Sequence, residues 1–123
     1  MIPKFRAWDK RENTMRDVAV LHFTKGGKVN SIEYWKTPSE LKSYHVRNLV
    51  LMQSTGLKDK NGVEIFEGDI GWDDHLEVHG QVIFENGAFK YEWENISEDL
   101  FEATDDIEIV GNIHENPELL EGN

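Results

Sequence analysis

Hydrophobic and polar residues alternate in many short runs along the chain, and turn-forming residues separate these runs. Near the N-terminus, KFRAW alternates in this way and predicts a strand that ends near Trp8. The segments MRDVAVLHF and KVNSIEYW stand on either side of Gly26-Gly27 and predict a β-hairpin. The later segment VRNLVLMQ is mostly apolar and therefore predicts a buried strand.

Two tight turns are predicted in the middle of the chain, where glycines and acidic residues stand close together. Thr55-Gly56 is expected to end the buried strand. The sequence DKNG at 59–62 predicts a turn because Asn and Gly accept positive φ at low cost. Glu67-Gly68-Asp69 predicts a second turn, with the short strand VEIF between the two, and Asp69 is expected to cap turn amides. We therefore interpret STGLKDKNGVEIFEGDIG as a folding signal and not as a ligand loop.

The clearest hairpin signal is Asn86-Gly87, which separates two alternating runs. On the first run, the apolar positions are expected to share one face, with Gly80 as a bulge or bend; these positions are Leu76, Val78, Val82 and Phe84. On the returning run, Phe89, Tyr91 and Trp93 are expected to share a face. The segment IEIVGNI predicts a last strand.

Helix signals are few. In TPSEL, Thr37 can serve as N-cap, Pro38 as the first helical residue and Glu40 as the capping-box residue, which predicts a short helix over about Pro38–Tyr44. SEDLFEATDD predicts a helical turn and a loop, and Asn116 is expected to cap a final turn that begins at Pro117. Because short strands dominate, the pattern predicts a mainly β fold, either a small antiparallel barrel or a sandwich.

Charge is divided unevenly between the two halves of the chain, whose net charge is −11. Residues 1–62 hold twelve Lys or Arg and six Asp or Glu, whereas residues 63–123 hold one basic residue, Lys90, and eighteen acids. The sign changes near residues 56–69, so the chain is expected to comprise an N-terminal region, 1–55, and a C-terminal region, 56–123, or one continuous domain. Such asymmetry favours an interaction surface and oligomers in which a basic end meets an acidic end.

Composition narrows the class of protein. A hydrophobic content of 38% with 30% charged residues is typical of a globular and not a disordered chain. There is no cysteine, which excludes disulfides, thiolate zinc sites and a cysteine nucleophile. The N-terminal MIPKFRAWDK lacks the features of a signal peptide, and no segment approaches the roughly 20 apolar residues of a membrane span. We therefore expect a cytoplasmic protein that does not bind membranes.

The candidate metal ligands are His75, Glu77 and His79 in DDHLEVHG. In a strand they would share the polar face, but His75 and His79 would then lie about 13 Å apart at about 3.3 Å per residue, too far to bind one ion without a bulge. A helix would suit zinc, but the alternating apolar residues and Gly80 argue against a helix. We interpret the segment as a solvated polar strand face and predict no cofactor.

Other polar residues offer weaker candidate sites. The acids and amides around the two tight turns resemble calcium ligands in kind (Asp59, Asn61, Glu64, Glu67, Asp69), but Gly62 is fourth in the segment where an EF-hand needs glycine sixth. Nothing in the sequence supports Glu67 and Asp69 as an acid/base pair, and His114 has no identifiable nucleophile partner. No phosphate-loop, dinucleotide or nucleophile-elbow motif occurs. We therefore predict no catalytic residues.

Two aromatic groups could stack on nucleic-acid bases. Phe89, Tyr91 and Trp93 form the first group, but acidic residues surround them (Glu85, Glu92, Glu94). The second group has more basic neighbours and comprises Phe5, Trp8 and Trp35 with Arg6, Lys10, Arg11 and Arg16. We interpret both groups as packing residues.

Three segments of the chain form a specific pattern. They are KFRAWDK at 4–10, LMQSTGLKDKNGVEIFEGDI at 51–70 and IVGNIHENPELL at 109–120. Together, in this order and at this spacing, they resemble the YopX family of phage and prophage proteins. The resemblance covers essentially the whole chain, with segment 16–48 variable. The chain departs from the family at Ser54 and Phe66, where the family often has Tyr, and at Gly71, where it often has Val.

The resemblance implies a small, phage-encoded protein in the cytoplasm of a host bacterium. The implied fold is a small, SH3-like antiparallel β-barrel with an additional N-terminal β-hairpin region and one or two short helices. It implies no established activity and no catalytic or binding residues.

Three functional hypotheses follow. The first is a non-enzymatic accessory protein that forms a homo-oligomer and binds a host or phage protein. The second is a nucleic-acid-associated protein, which either binds through the basic N-terminal half or mimics DNA through the acidic half. The third is a metal-dependent enzyme that uses the His75, Glu77 and His79 region. We rank them in this order, and nucleic-acid binding is not favoured.

Overall fold

The computed structural model describes residues 4–121. Contacts divide the chain into two compact units, residues 1–53 and 54–123. The elements, in chain order, are β1 (Phe5–Asp9), β2 (Thr14–Phe23), β3 (Val29–Thr37), β4 (Glu40–His45), a 3₁₀ helix (Val46–Asn48), β5 (Leu49–Lys58), β6 (Glu64–Phe66), β7 (Asp69–Asp73), β8 (Val78–Glu85), β9 (Ala88–Trp93), β10 (Ile96–Asp99), α1 (Leu100–Ala103), β11 (Ile107–Asn112) and a second 3₁₀ helix (Pro117–Leu120). The mainly β, antiparallel fold expected from the pattern is confirmed.

The N-terminal unit is an antiparallel sheet in the order β4-β3-β2-β1-β5. In the centre, Ala7 of β1 stands opposite Arg16 of β2 on one side and Leu51 of β5 on the other. One face of the sheet carries the core, formed by Ala7, Ile32, Tyr34 and Leu49 with partly buried neighbours. The predicted β2–β3 hairpin is present, and Gly27 has φ 90°, which a glycine adopts without strain.

The prediction of a helix over Pro38–Tyr44 is wrong. Residues Glu40–His45 form strand β4, which pairs with β3 so that Lys42 stands opposite Tyr34 and Tyr44 opposite Ile32. The Thr37 hydroxyl accepts a hydrogen bond from the Ser39 amide, but it caps a turn between strands and not a helix. Pairing satisfies the backbone groups of β4 that face β3, and this outweighs a capping signal worth about 1 kcal/mol.

The C-terminal unit contains a second sheet in the order β10-β9-β8-β7-β11, while β6 pairs with the end of β5. Its core contains Ile65, Val82, Tyr91, Leu100, Ala103 and Ile107. Within residues 4–121, β10 and β11 are the outer strands of this sheet and do not pair with each other, so the SH3-like closed barrel is not confirmed. The predicted helical turn is present as α1.

Gly80 forms no bulge. It pairs regularly with Gly71 across β7 and β8, and the ring of Tyr91 lies over both glycines. A Cβ atom at position 80 would meet the ring at 2.4 Å and one at position 71 would meet the Tyr91 hydroxyl at 2.9 Å. The strand has glycine here because an aromatic ring fills the space of the side chain.

The turns in the middle of the chain follow the sequence in most details. Gly62 and Gly68 have positive φ, and the Asp69 carboxylate accepts the Phe66 amide at 2.8 Å, as predicted. The Asn86-Gly87 hairpin is also confirmed, with both residues at positive φ. Thr55-Gly56 does not end the strand: β5 continues to Lys58 with a register irregularity after Ser54, and Gly56 has φ 78°.

Two smaller expectations differ. Leu76 does not lie on the strand face predicted for it, because it is exposed in the turn before β8. The Asn116 side chain does not cap the final 3₁₀ helix; its Oδ1 accepts the Asn112 amide, and its backbone carbonyl accepts the Leu119 amide. Within residues 4–121, no helix is both long and apolar enough to cross a bilayer.

Candidate binding surfaces

An apolar groove opens in the N-terminal unit beside the β2–β3 hairpin. Its volume is about 550 Å³, and its lining includes Phe5, Val18, Val20, Leu21, Phe23 and Val29. Phe23 is 59% exposed and Val20 is 38% exposed, so both present apolar surface to solvent. Among the described residues the lining includes no charged side chain, and Gln53 is its polar member. This volume lies in the range of sites that accept apolar side chains or small ligands.

Two irregularities in the β2–β3 pairing border the groove, the first with an extra residue, Ala19, in β2 and the second with an extra residue, Asn30, in β3. The register against β3 shifts between Val18 and Val20 and again between His22 and Phe23. A bulge turns neighbouring side chains away from strict alternation, so apolar residues appear on both sides of the irregularity. The sequence carries this signal in VAVL, where four consecutive apolar residues break the alternation of MRDVAVLHF. The strand prediction was right, but it missed the groove because it treated the run as regular.

A second site, here called the cationic pocket, lies in the same unit. Its volume is about 370 Å³, and it is lined by Arg11, Lys42, Ser43, Tyr44, His45, Arg47 and Asn48. None of the described lining residues is acidic. Arg11 comes from the β1–β2 turn, Lys42 from β4 and Arg47 from the 3₁₀ helix, so three separate elements place one cation each.

A buried polar network holds the Tyr44 wall of the cationic pocket. The Tyr44 hydroxyl donates to Asp9, whose side chain is fully buried, at 3.5 Å. Asp9 also accepts the amides of Arg11 and Glu12 and pairs with the Arg16 guanidinium at 3.3 Å. The guanidinium lies 4.7 Å from the centre of the Tyr34 ring. The network therefore fixes Tyr44 and the start of the β1–β2 turn.

The candidate metal ligands do not share a strand face. His75 and Glu77 lie exposed in the turn between β7 and β8, where Glu77 has φ 56° and the Asp73 carboxylate accepts the amides of His75 and Leu76. His79 lies on β8, with its ring centre 4.7 Å from that of Trp72. The prediction that these residues lie on the solvated face of a strand is wrong, because the turn between β7 and β8 starts before His75. Among the described residues 4–121, no three His, Asp or Glu side chains are grouped for a metal ion.

The acidic residues that resemble calcium ligands in kind organise turns instead. The Asp59 carboxylate accepts the amides of Asn61, Val63 and Ile109 at 2.8–2.9 Å. Burial acts to raise the pKa of Asp59, but these three amides outweigh burial and hold the pKa below its ordinary value. Glu64 accepts from the Ser54 hydroxyl at 2.6 Å. The turn interpretation of Asp59 and Asp69 is confirmed.

The two aromatic groups pack largely as predicted. Tyr91 is buried in the core of the C-terminal unit, with Phe89 and Trp93 partly buried against it, and burial raises the pKa of the Tyr91 phenol. In the N-terminal unit Trp8 is buried, whereas Trp35 is 46% exposed opposite Leu41 of β4. Phe5 lines the groove. Neither group forms an open stacking platform of three rings among residues 4–121.

Charge differs sharply between the two units. Residues 1–53 hold ten Lys or Arg and five Asp or Glu, a net charge of +5. Residues 54–123 hold three basic and nineteen acidic residues, a net charge of −16. The apolar groove and the cationic pocket both lie in the basic unit.

Comparisons with known proteins agree with the resemblance seen in the sequence. The family model described as YopX protein matches residues 4–121. The crystal structure of protein EF1440 from Enterococcus faecalis is 34% identical, with a TM-score of 0.76 over 98% of this chain and 99% of that one. The crystal structure of YopX from Bacillus subtilis shares the fold at 23% identity, with a TM-score of 0.67 over 98% and 97% of the two chains. A search of curated proteins finds no match.

Proposed function

We propose that this chain, which belongs to the YopX family, is a non-enzymatic protein-binding module that uses the apolar groove of its N-terminal unit. The observation that carries the proposal is the groove itself, about 550 Å³ of apolar lining with Phe23 and Val20 exposed at its edge. Covering such side chains on binding releases about 25 cal/mol for each Å² of apolar surface. As further parts of the proposal, the chain is phage-encoded, acts in the host cytoplasm and forms a homo-oligomer.

Charge defines the occupant of the groove. The loop from Phe23 to Val29 carries Lys25 and Lys28, and neither forms an ion pair within the described residues. The unit as a whole is positive. The partner is therefore a protein segment whose apolar side chains enter the groove and whose acidic residues face the two lysines. This arrangement combines an apolar centre with a polar rim, as stable interfaces do.

The test is site-specific photocrosslinking in cells of the bacterial host. A photoreactive phenylalanine derivative replaces Phe23 in one variant and Phe101, which is 64% exposed in the C-terminal unit, in a matched control. The proposal expects a nuclease-resistant protein adduct from position 23 that position 101 does not give, and expects the substitution Phe23→Asp to abolish capture of the same protein by the tagged chain. A Phe101→Asp control should retain it.

Three results would overturn the proposal. They are equal adducts at both positions, capture that survives Phe23→Asp, and capture that disappears with nuclease. Light scattering after size exclusion tests the homo-oligomer separately, and an adduct whose mass is twice that of the chain identifies the partner as a second copy.

A further inference from the structure

We propose that the cationic pocket of the N-terminal unit is a binding site for phosphate oxyanions. The site is formed by Arg11, Lys42 and Arg47, together with the His45 imidazole and the Ser43 hydroxyl. It is separate from the apolar groove, with which it shares none of its described lining residues. The proposal therefore does not depend on the function proposed above.

The three cations of the pocket lack counter-charges among the described residues. Within residues 4–121, Arg11, Lys42 and Arg47 form no ion pair, whereas Arg16 pairs with Asp9 and Glu12, and Lys36 pairs with Glu40. Lys25 and Lys28 also lack an ion pair within the described residues, but the pocket brings three such cations together with no acidic residue among its described lining. Three such cations around one pocket create a local positive field that an anion relieves.

Hydrogen bonds within the fold orient two side chains of the pocket, His45 and Tyr44. The Arg47 amide donates to Nδ1 of His45 at 3.0 Å, so the neutral imidazole carries its proton on Nε2 and donates away from the backbone. Tyr44 is fixed through Asp9. Arg47 and His45 belong to one short turn, and both residues line the pocket. Ordering these groups in advance lowers the entropic cost of binding.

The chemistry of a phosphate group fits the donors of this pocket. A phosphate group offers several oxygens to donors that approach from different directions, and a guanidinium binds two of them at once. Donors from the β1–β2 turn, from β4 and from the 3₁₀ helix match this need. The volume of about 370 Å³ exceeds that of one phosphate and leaves room for the rest of a nucleotide. Free nucleotides and single-stranded nucleic acid both supply this chemistry.

The experiment measures binding of two defined probes to the full chain. A fluorescein-labelled single-stranded thymidine 20-mer is titrated by anisotropy at 50 and 200 mM NaCl, and ATP is titrated by calorimetry in magnesium-free buffer. The variants are Lys42→Ala and Arg47→Ala, both at exposed positions. The control is Lys58→Ala, which removes the same charge from an exposed position outside the pocket. Thermal melts establish that all four proteins are folded.

The proposal expects the wild type to bind at least one probe, and expects each pocket variant to weaken that binding about fivefold to tenfold. For the oligonucleotide, the salt dependence should also fall by about 0.7 in slope for each phosphate that a variant no longer neutralises. Lys58→Ala should bind as the wild type does. Binding of ATP alone identifies a nucleotide as the source, and much tighter binding of the 20-mer identifies nucleic acid. Absence of binding by both probes at 50 mM NaCl, or equal weakening by Lys58→Ala, overturns the proposal.

Discussion

The ring of Tyr91 on β9 occupies the space into which any side chain larger than hydrogen at Gly80 would project. An added Cβ atom there would lie 2.4 Å from Cζ of Tyr91 and 2.6 Å from Cε2. The contact involves the body of a buried ring and not the end of a flexible chain, since Tyr91 is 2% exposed. The two residues must therefore be considered as one packing unit.

Gly80→Ala should destabilise the protein by about 1–3 kcal/mol, because overpacking forces the ring or the strand to move. In a strand interior alanine is otherwise slightly more favourable than glycine. A loss of stability can therefore be assigned to the steric contact with Tyr91. The measurement is urea unfolding of both proteins. Gly26→Ala is the control, since the nearest atom to its added Cβ is 3.8 Å away. Equal stability of Gly80→Ala and the wild type would show that the ring is free to move.

Asp59 should make the free energy of unfolding depend on pH in the acidic range. Its pKa in the folded state lies below the ordinary value of 3.8, so the carboxylate stabilises the fold above about pH 4. This contribution is lost as the pH falls through the folded pKa. Asp59→Asn should therefore be less stable than the wild type at pH 7, and the difference should shrink by pH 2.5.

Asp105→Asn is the control for this measurement, since Asp105 is exposed and its side chain makes no hydrogen bond within the described residues. It should match the wild type across the same pH range in urea unfolding. A difference between Asp59→Asn and the wild type that stays constant from pH 7 to pH 2.5 would contradict the role given to the carboxylate charge.

Asp9→Ala should lower the free energy of unfolding by about 3 kcal/mol. The substitution leaves the Arg16 guanidinium, the Tyr44 hydroxyl and two backbone amides without their buried acceptor. The control is Lys36→Ala, which removes an exposed pair with Glu40 and should cost less than about 1 kcal/mol. Chemical unfolding of the three proteins gives the comparison, and similar stabilities for both variants would show that the Asp9 network contributes little.

Replacement of His75 and His79 by Ala should leave the metal content of the purified protein unchanged. His75 lies in a turn and His79 contacts Trp72, so the two imidazoles are not arranged around a common ion. Elemental analysis of the wild type and the double variant, both purified without chelator, is the measurement. A stoichiometric metal that is present in the wild type and absent from the variant would refute this interpretation.

Local signals predicted the turns well. Asn86-Gly87 and DKNG at 59–62 require positive φ, and a few residues are enough to specify it. The helix over Pro38–Tyr44 failed because its capping residues act locally, whereas β4 is determined by pairing with β3. The bulge predicted at Gly80 is absent for a similar reason. Glycine is required there by the ring of Tyr91, which sheet pairing and not sequence proximity brings close.

The binding surfaces were harder to predict than the fold. Arg11, Lys42 and Arg47 are more than 30 residues apart at their extremes and form a pocket only because β4 and the β1–β2 turn meet at the same end of the sheet. Scattered along the sequence, these cations gave no motif. The apolar groove had a signal in VAVL, but the register irregularities beside it depend on the pairing of β2 with β3. All three cations lie in the half of the chain that the sequence shows to be basic.

The position of Lys42 on β4 also affects how this strand can pair with other molecules. Within the described residues, β4 is the outer strand of its sheet and has a free row of backbone donors and acceptors. Such an edge can recruit a strand from another molecule and begin aggregation, and charged side chains and bulges oppose this. Glu40, Lys42 and the register shift between Trp35 and Thr37 supply both devices here. We therefore expect the charge at Lys42 to oppose pairing of this edge with a strand from another molecule.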